Sequence, residues 1–119
     1  MFNFSGYAIE EYFDRDVKAR VSKEGSTIDI LRVLEFESAL QRMSVIVRAE
    51  GAYYVFTKGS PEKVSELSYS LPHNLKPSLE LLTMKGLRVL GIGIRSLTQE
   101  EAIQLSSDKC SRDQVECDI

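Results

Sequence analysis

Lys58-Gly59-Ser60 comes nearest of any stretch in this chain to a phosphate-binding loop. It lacks the leading glycine of GxxxxGK[ST], and its lysine precedes the glycine instead of following it. Gly91-Ile92-Gly93 lacks the third glycine of a dinucleotide fingerprint and falls inside a strand pattern, where glycines mark close packing or a bulge. A serine triad needs a histidine, and the single one, His73, stands between Pro72 and Asn74 and reads as a solvated turn residue. Cys110 and Cys117 are seven apart, which is not CxxC spacing, and His73 is distant in sequence. They read as two reduced thiols, not as a zinc site or a disulfide. The paired carboxylates Glu10-Glu11 and Glu100-Glu101 are adjacent and do not converge, so they read as solvated faces. No self-sufficient catalytic constellation emerges, which makes a free-standing enzyme a poor reading.

The elements that carry these residues follow from hydrophobic periodicity and turn chemistry. Residues 1–13 hold Phe2, Phe4, Tyr7, Ile9, Tyr12 and Phe13 with an interruption at Gly6, a pattern for a helix end followed by a strand. Val17, Ala19 and Val21 alternate with Lys18 and Arg20 as in a half-buried strand, and Glu24-Gly25-Ser26 makes a turn. Residues 28–34 and 43–49 are rich in β-branched side chains, and Glu50-Gly51 returns the chain into residues 52–57 as a hairpin. Ser60 can cap a helix that has Pro61 at its first position and Glu62 in its first turn, running to about Tyr69. A second helix begins near Lys76-Pro77, turns Leu79, Leu82 and Met84 inward, and ends at Gly86. Residues 87–95 are apolar on both faces and predict a central strand. Thr98-Gln99-Glu100-Glu101 is a capping-box pattern, and Ser111-Arg112-Asp113-Gln114 opens a further short helix. Hairpin strands first, then helices and a late strand, predict an α+β fold.

At 119 residues the chain fits one domain with one core, and 43% apolar content is ordinary for a soluble globular fold. The net charge of -3 argues against a nucleic-acid surface, which needs a strongly basic face. No apolar run approaches the ~18 residues that span a bilayer, and residues 1–9 have no basic n-region, so the chain is expected to be soluble.

Three segments stand in a telling order: Phe36-Glu37-Ser38-Ala39-Leu40-Gln41-Arg42-Met43-Ser44-Val45, then Thr57-Lys58-Gly59-Ser60-Pro61-Glu62, then Lys85-Gly86-Leu87-Arg88-Val89-Leu90-Gly91. Together they resemble the nucleotide-binding domains of P-type transport ATPases. The second resembles their KGAPE signature, with Ser60 in place of the alanine. The FxSxLQRMSV form is similar to the fifth class of these pumps and, more narrowly, to its endolysosomal branch associated with polyamine transport. The ends agree: residues 1–7 resemble the segment that enters this domain, and residues 111–118 the one that returns to the phosphorylation domain. The resemblance covers nearly the whole chain.

It implies a twisted antiparallel β-sheet flanked by helices, with residues 1–119 forming one nucleotide-binding domain excised from a larger membrane ATPase. By that resemblance Phe36 would stack on the adenine of ATP, where an aromatic face is worth roughly 0.5–1.5 kcal/mol beyond its burial. Without it, a core phenylalanine would be the reading. Met43 would pack beside the ring, or is simply a core residue. Gln41 stands where calcium and sodium pumps carry a lysine near the adenine; it can hydrogen-bond the base edge but brings no charge. Lys58 would lie near the phosphates, and Gly59, with no Cβ, would let the backbone approach the ligand. Arg88 would reach the phosphate or ribose region from the central strand, or else form a structural salt bridge with an acid such as Glu37.

The acid that related pumps set against the adenine amino group would precede the Met1-Phe2 segment. Weak binding is therefore expected, with a dissociation constant near millimolar, about -4 kcal/mol. The DKTG motif and the magnesium-binding acids of the phosphorylation domain are absent from the sequence, so the isolated chain should hold ATP without hydrolysing it. Its implied partners are ATP and the phosphorylation and actuator domains of the same polypeptide, with magnesium bound mainly by the former. The chain would be a monomer in contact with neither nucleic acid nor membrane, the cytosolic part of a protein of endosomal, lysosomal or vacuolar membranes. The other reading is a degenerate domain of the same fold that mediates contacts without useful nucleotide affinity. Gln41 and the missing upstream acid support it.

Overall fold

The computed structural model describes residues 2–4, 7–11, 17 and 19–119. Among these residues, seven strands form one antiparallel meander in which spatial order equals chain order. They are β1 (Phe2–Phe4), β2 (Tyr7–Glu11), β3 (Ala19–Lys23), β4 (Ser26–Glu37), β5 (Arg42–Ala49), β6 (Ala52–Gly59) and β7 (Gly91–Leu97). Helices α1 (Pro61–Leu67) and α2 (Leu75–Met84) fill the connection from β6 to β7, and α3 (Gln99–Leu105) and α4 (Arg112–Val115) follow. The α+β class is as expected, and so is the antiparallel sheet with its helices.

Alternation along the strands divides the sheet into two faces. Ile46, Val55 and Leu97 point one way and pack with Ala102 and Leu105 of α3, Val115 of α4 and Ile119 into the core. Val64 of α1 is buried against the same face at Gly91 and Gly93. The glycines of β7 do mark close packing: a Cβ on Gly93 would strike the Ile119 side chain. The other face carries Val45, Phe56 and Ile94, which are register partners across β5, β6 and β7, with Val33 of β4 opposite Val45.

The helix starts are those the sequence encodes. The Ser60 hydroxyl accepts from the Lys63 amide with Pro61 in the first turn, and Thr98 and Glu101 complete a reciprocal capping box. Helix α2 closes with the Gly86 amide donating to the Thr83 carbonyl and the Leu87 amide to the Leu82 carbonyl, the paired bonds of a Schellman turn.

Three expectations change. The first is the helix end in residues 1–13: residues 2–4 and 7–11 are strands, paired with one another and with β3. The interruption at Gly6, together with Tyr12 and Phe13, lies outside the described residues. The second is the central strand over residues 87–95. Strand β7 begins at Gly91 and stands at the end of the sheet order, paired with β6 alone among the described residues. The Schellman turn consumes Gly86 and Leu87, and residues 88–90 run irregularly before pairing begins, which leaves Leu90 and Ile92 66% and 69% exposed. An edge strand with only one face covered tolerates apolar residues that periodicity alone reads as doubly buried. The third is Met84, which points outward at 85% exposure while Leu79 and Leu82 are half-buried. Two residues past Leu82, it stands about 200° around the helix.

Candidate functional site

Strand β4 is not regular. Leu34 pairs with Ser44 and Glu37 pairs with Arg42, so two residues, Glu35 and Phe36, oppose the single residue Met43. This is a β-bulge, and it re-aims side chains. In strict alternation from buried Leu34, position 36 would fall on the core face. With the extra residue, Glu37 takes the core-face place beside Arg42, and Phe36 emerges 58% exposed. A large aromatic left open on a sheet otherwise apolar on that side is the kind of feature that marks a ligand surface.

Met43, half-buried, pairs with Lys58 on β6, and Lys58 pairs with Ile92 on β7. Partners in an antiparallel ladder share a face, so bulge, Met43, Lys58 and Ile92 form one row across four strands. Adjacent strands lie about 4.8 Å apart, which places Phe36 and Lys58 roughly 10 Å from each other along that row. Lys58 is exposed, and no carboxylate pairs with it among the described residues. The row therefore offers an aromatic face at one end and an uncommitted cation further along.

Gln41 lies outside the strands, in the turn between β4 and β5, exposed and with a left-handed φ of 54°. Its amide donates to the Glu37 carbonyl at 2.7 Å, and its carbonyl accepts from the Ser60 amide at 3.1 Å. The turn is thus tied to the corner where β6 passes into α1. Gly59 is buried on the core side, opposite to Lys58, and pairs with Arg42. A Cβ there would come within 2.8 Å of the Arg42 Cβ and would also strike the Gln41 carbonyl oxygen. The missing side chain lets two backbones close on each other and so sets the height of Lys58 beside it.

Arg88 does not project from a strand. It is exposed on the irregular segment ahead of β7, four residues before Ile92. The salt bridge weighed for it, with Glu37, is not formed. Glu37 Oε1 faces Arg112 Nη1 at 3.4 Å, and Arg88 has no ion-pair partner among the described residues. The structure therefore brings Phe36, Met43 and Lys58 onto one face, joins Gln41 and Gly59 at the corner beneath, and leaves Arg88 on the approach.

Beneath the row lies a buried polar cluster that periodicity could not reveal. The Glu116 side chain is fully buried and accepts from Arg42 Nε at 3.0 Å, from Ser44 Oγ at 2.6 Å and from Arg112 Nε. Ser44 Oγ and Thr57 Oγ1 share a hydrogen bond of 2.8 Å. A buried carboxylate is tolerable only with such partners, since an unpaired one would cost several kcal/mol. Ser111–Gln114 signalled a helix start in the sequence, but nothing there says that Arg112 and Glu116 reach back under β4 and β5.

An antiparallel meander with α1, α3 and α4 packed on one face, and a second face carrying an exposed aromatic and a lysine without an ion pair among the described residues, defines an α+β domain with one sheet face left open. The comparisons agree on its kinship. A model of the family described as "P-type ATPase, cytoplasmic domain N" matches residues 3–119, and the chain belongs to that family. It is 39% identical over 95 residues to the probable cation-transporting ATPase 13A4 of Gallus gallus, covering 77% of this chain and 8% of that protein. To the probable cation-transporting ATPase 9 of Tetrahymena thermophila it is 34% identical over 126 residues, covering 100% and 11%. A vacuolar cation-transporting ATPase of Saccharomyces cerevisiae matches at 36% over 96 residues, covering 77% and 6%. The chain thus spans about a tenth or less of the length of these relatives, and its kinship fits the fifth class of P-type pumps.

Proposed function

We propose that the open face of the sheet binds ATP and presents its γ-phosphate to the phosphorylation domain of a P-type cation-transporting ATPase. One observation carries this: exposed Phe36 and Lys58, which has no ion pair among the described residues, stand on the same face with Met43 between them. A base stacked on Phe36 and packed by Met43 would send its phosphates along the row towards Lys58. Gln41, at the turn, would meet the base edge with its amide. Gly59 would serve through its backbone, keeping the corner tight enough to hold Lys58 in place. Arg88, on the approach and uncommitted, would add charge at the phosphate or ribose.

Phosphoryl transfer gains most from placement and charge neutralisation, so a domain without a nucleophile still contributes by holding the γ-phosphate in line. By the family resemblance, magnesium is assigned mainly to the phosphorylation domain of the parent protein. In this reading the isolated chain binds ATP without hydrolysing it and works as a monomer alongside the phosphorylation and actuator domains. The parent is a membrane pump of endosomal, lysosomal or vacuolar location, with a cation or polyamine as cargo. The names of the relatives, which speak of cations and in one case of the vacuole, support a cation-transporting membrane pump.

A second reading has its own observation. Ile92 and Ile94, 69% and 55% exposed, extend the open face beyond Lys58 as an apolar surface suited to protein contact. An NMR titration with ATP and with GTP separates the two. Saturable amide shifts clustered at Phe36, Met43, Lys58 and Gly59, absent in Lys58→Ala, support the nucleotide site. No shifts at several millimolar ATP would favour a contact domain without nucleotide affinity.

A further inference from the structure

The bulge that exposes Phe36 is held from below by the Arg112 side chain. Arg112 Nη1 donates to the carbonyl of Glu35, a bulge residue, at 2.8 Å, and its Nη2 donates to the carbonyl of Arg42, on the facing strand, at 2.9 Å. The same guanidinium faces Glu37 Oε1 at 3.4 Å, and its Nε donates to Glu116 Oε1. Arg112 therefore touches both strands on either side of the point where two residues oppose one. A bulge takes backbone groups out of the ladder, and a planar fork of five donors can meet carbonyls on two strands at once. Glu116 keeps the fork in orientation: one oxygen accepts from Arg112 while the other is fixed by Arg42 and Ser44.

We propose that Arg112, oriented by Glu116, is a positioning residue for base recognition: it locks the Glu35–Phe36 bulge and so aims the Phe36 ring at the open face. Arg112 never meets the ligand and acts through Phe36. The inference rests on the nucleotide reading above and adds that helix α4 sets the geometry of the base platform. A lysine could keep the charge but not the two-strand bridge, because a single ammonium lacks the planar fork.

The test is a calorimetric titration of the chain with ATP and with inorganic tripolyphosphate, in the wild type, Arg112→Lys, Phe36→Ala and the double variant. Arg112→Lys is expected to weaken ATP binding roughly five- to tenfold, the scale of a lost stacking contact. It should leave tripolyphosphate binding within about twofold and add nothing to the loss already caused by Phe36→Ala. An equal loss for tripolyphosphate, or an equal loss in both backgrounds, would overturn the inference while leaving the nucleotide site standing. If Arg112→Lys does not fold, Glu37→Ala, which removes only the exposed partner of Arg112, should give the same ATP-selective pattern at smaller size; a uniform pattern there would equally overturn it. A wild-type chain that binds no ATP overturns the nucleotide reading itself, and this inference with it.

Discussion

The two faces of the sheet solve opposite problems with neighbouring residues. On the covered face, charge is buried and partnered: Arg42, Ser44, Thr57 and Glu116 are each less than a tenth exposed and linked by hydrogen bonds. On the open face, Phe36 and Lys58 are exposed and, for Lys58, unpaired among the described residues. Yet Arg42 adjoins Met43, and Thr57 adjoins Lys58. Strand alternation lets one short sequence supply a rigid underside and an uncommitted upper surface at the same time. A site that must bind reversibly keeps its contacts unmade until ligand arrives, and it can do so only where the backbone beneath it is fixed by other means.

That contrast predicts a steep gradient of mutational cost. The largest effect belongs to Glu116→Ala, which leaves Arg42 buried without its carboxylate. Urea denaturation should show a loss of about 3–5 kcal/mol or outright unfolding. A loss below about 1 kcal/mol would mean that the cluster does not hold the covered face. Next comes Asp29, whose side chain is 8% exposed and lies between Arg20 at 2.6 Å and Arg48 at 2.6 Å. The hydrogen bond from Arg20, opposed by burial and reinforced by Arg48, holds its carboxyl below the usual carboxylate range. A depressed folded-state pKa gives stability that is complete above the unfolded value, about 3.9, and lost as pH falls through the lower folded value. Asp29→Asn should therefore cost about 1 kcal/mol at neutral pH, since both arginines are partly in solvent. The difference from the wild type should close below about pH 4, and thermal melts across that range check the sign.

The smallest stability effects belong to the open face. Phe36→Ala and Lys58→Ala should change unfolding free energy by no more than about 0.5 kcal/mol, because neither side chain is buried. Both should weaken ATP binding. Lys58→Ala should also flatten its dependence on ionic strength, since the lost contact is the charged one. A Phe36→Ala variant that unfolds easily would place the ring in the core and erase the contrast between the faces.

How much of this was legible in the sequence follows the range of the forces involved. The hairpins at Glu24-Gly25 and Glu50-Gly51, the caps at Ser60 and Thr98 and the Schellman end of α2 are local, set by a few neighbouring residues, and could be read directly. The motifs around Phe36 and Lys58 named the face through their resemblance to a family. Their spacing alone does not place the two side chains in one row, because a single extra residue in β4 decides which way Phe36 points. Periodicity reads residues 87–95 as a central strand, whereas β7 stands at the end of the sheet order among the described residues, because apolar runs look alike in a central strand and in an edge strand beside an uncovered surface.

The sequence by itself determined the α+β class and the starts of α1 to α4 to within a turn, which rest on local chemistry, and it named Phe36 and Lys58 as candidates through motif alone. Only the tertiary structure decided that Arg112 and Glu116, about 70 residues beyond β5, reach back beneath the bulge. It also decided that Gly59 serves backbone packing and that Arg88 stands outside the sheet. Those facts depend on which strands are neighbours in space and on where buried charges find partners, and neither is encoded within the reach of a few residues along the chain.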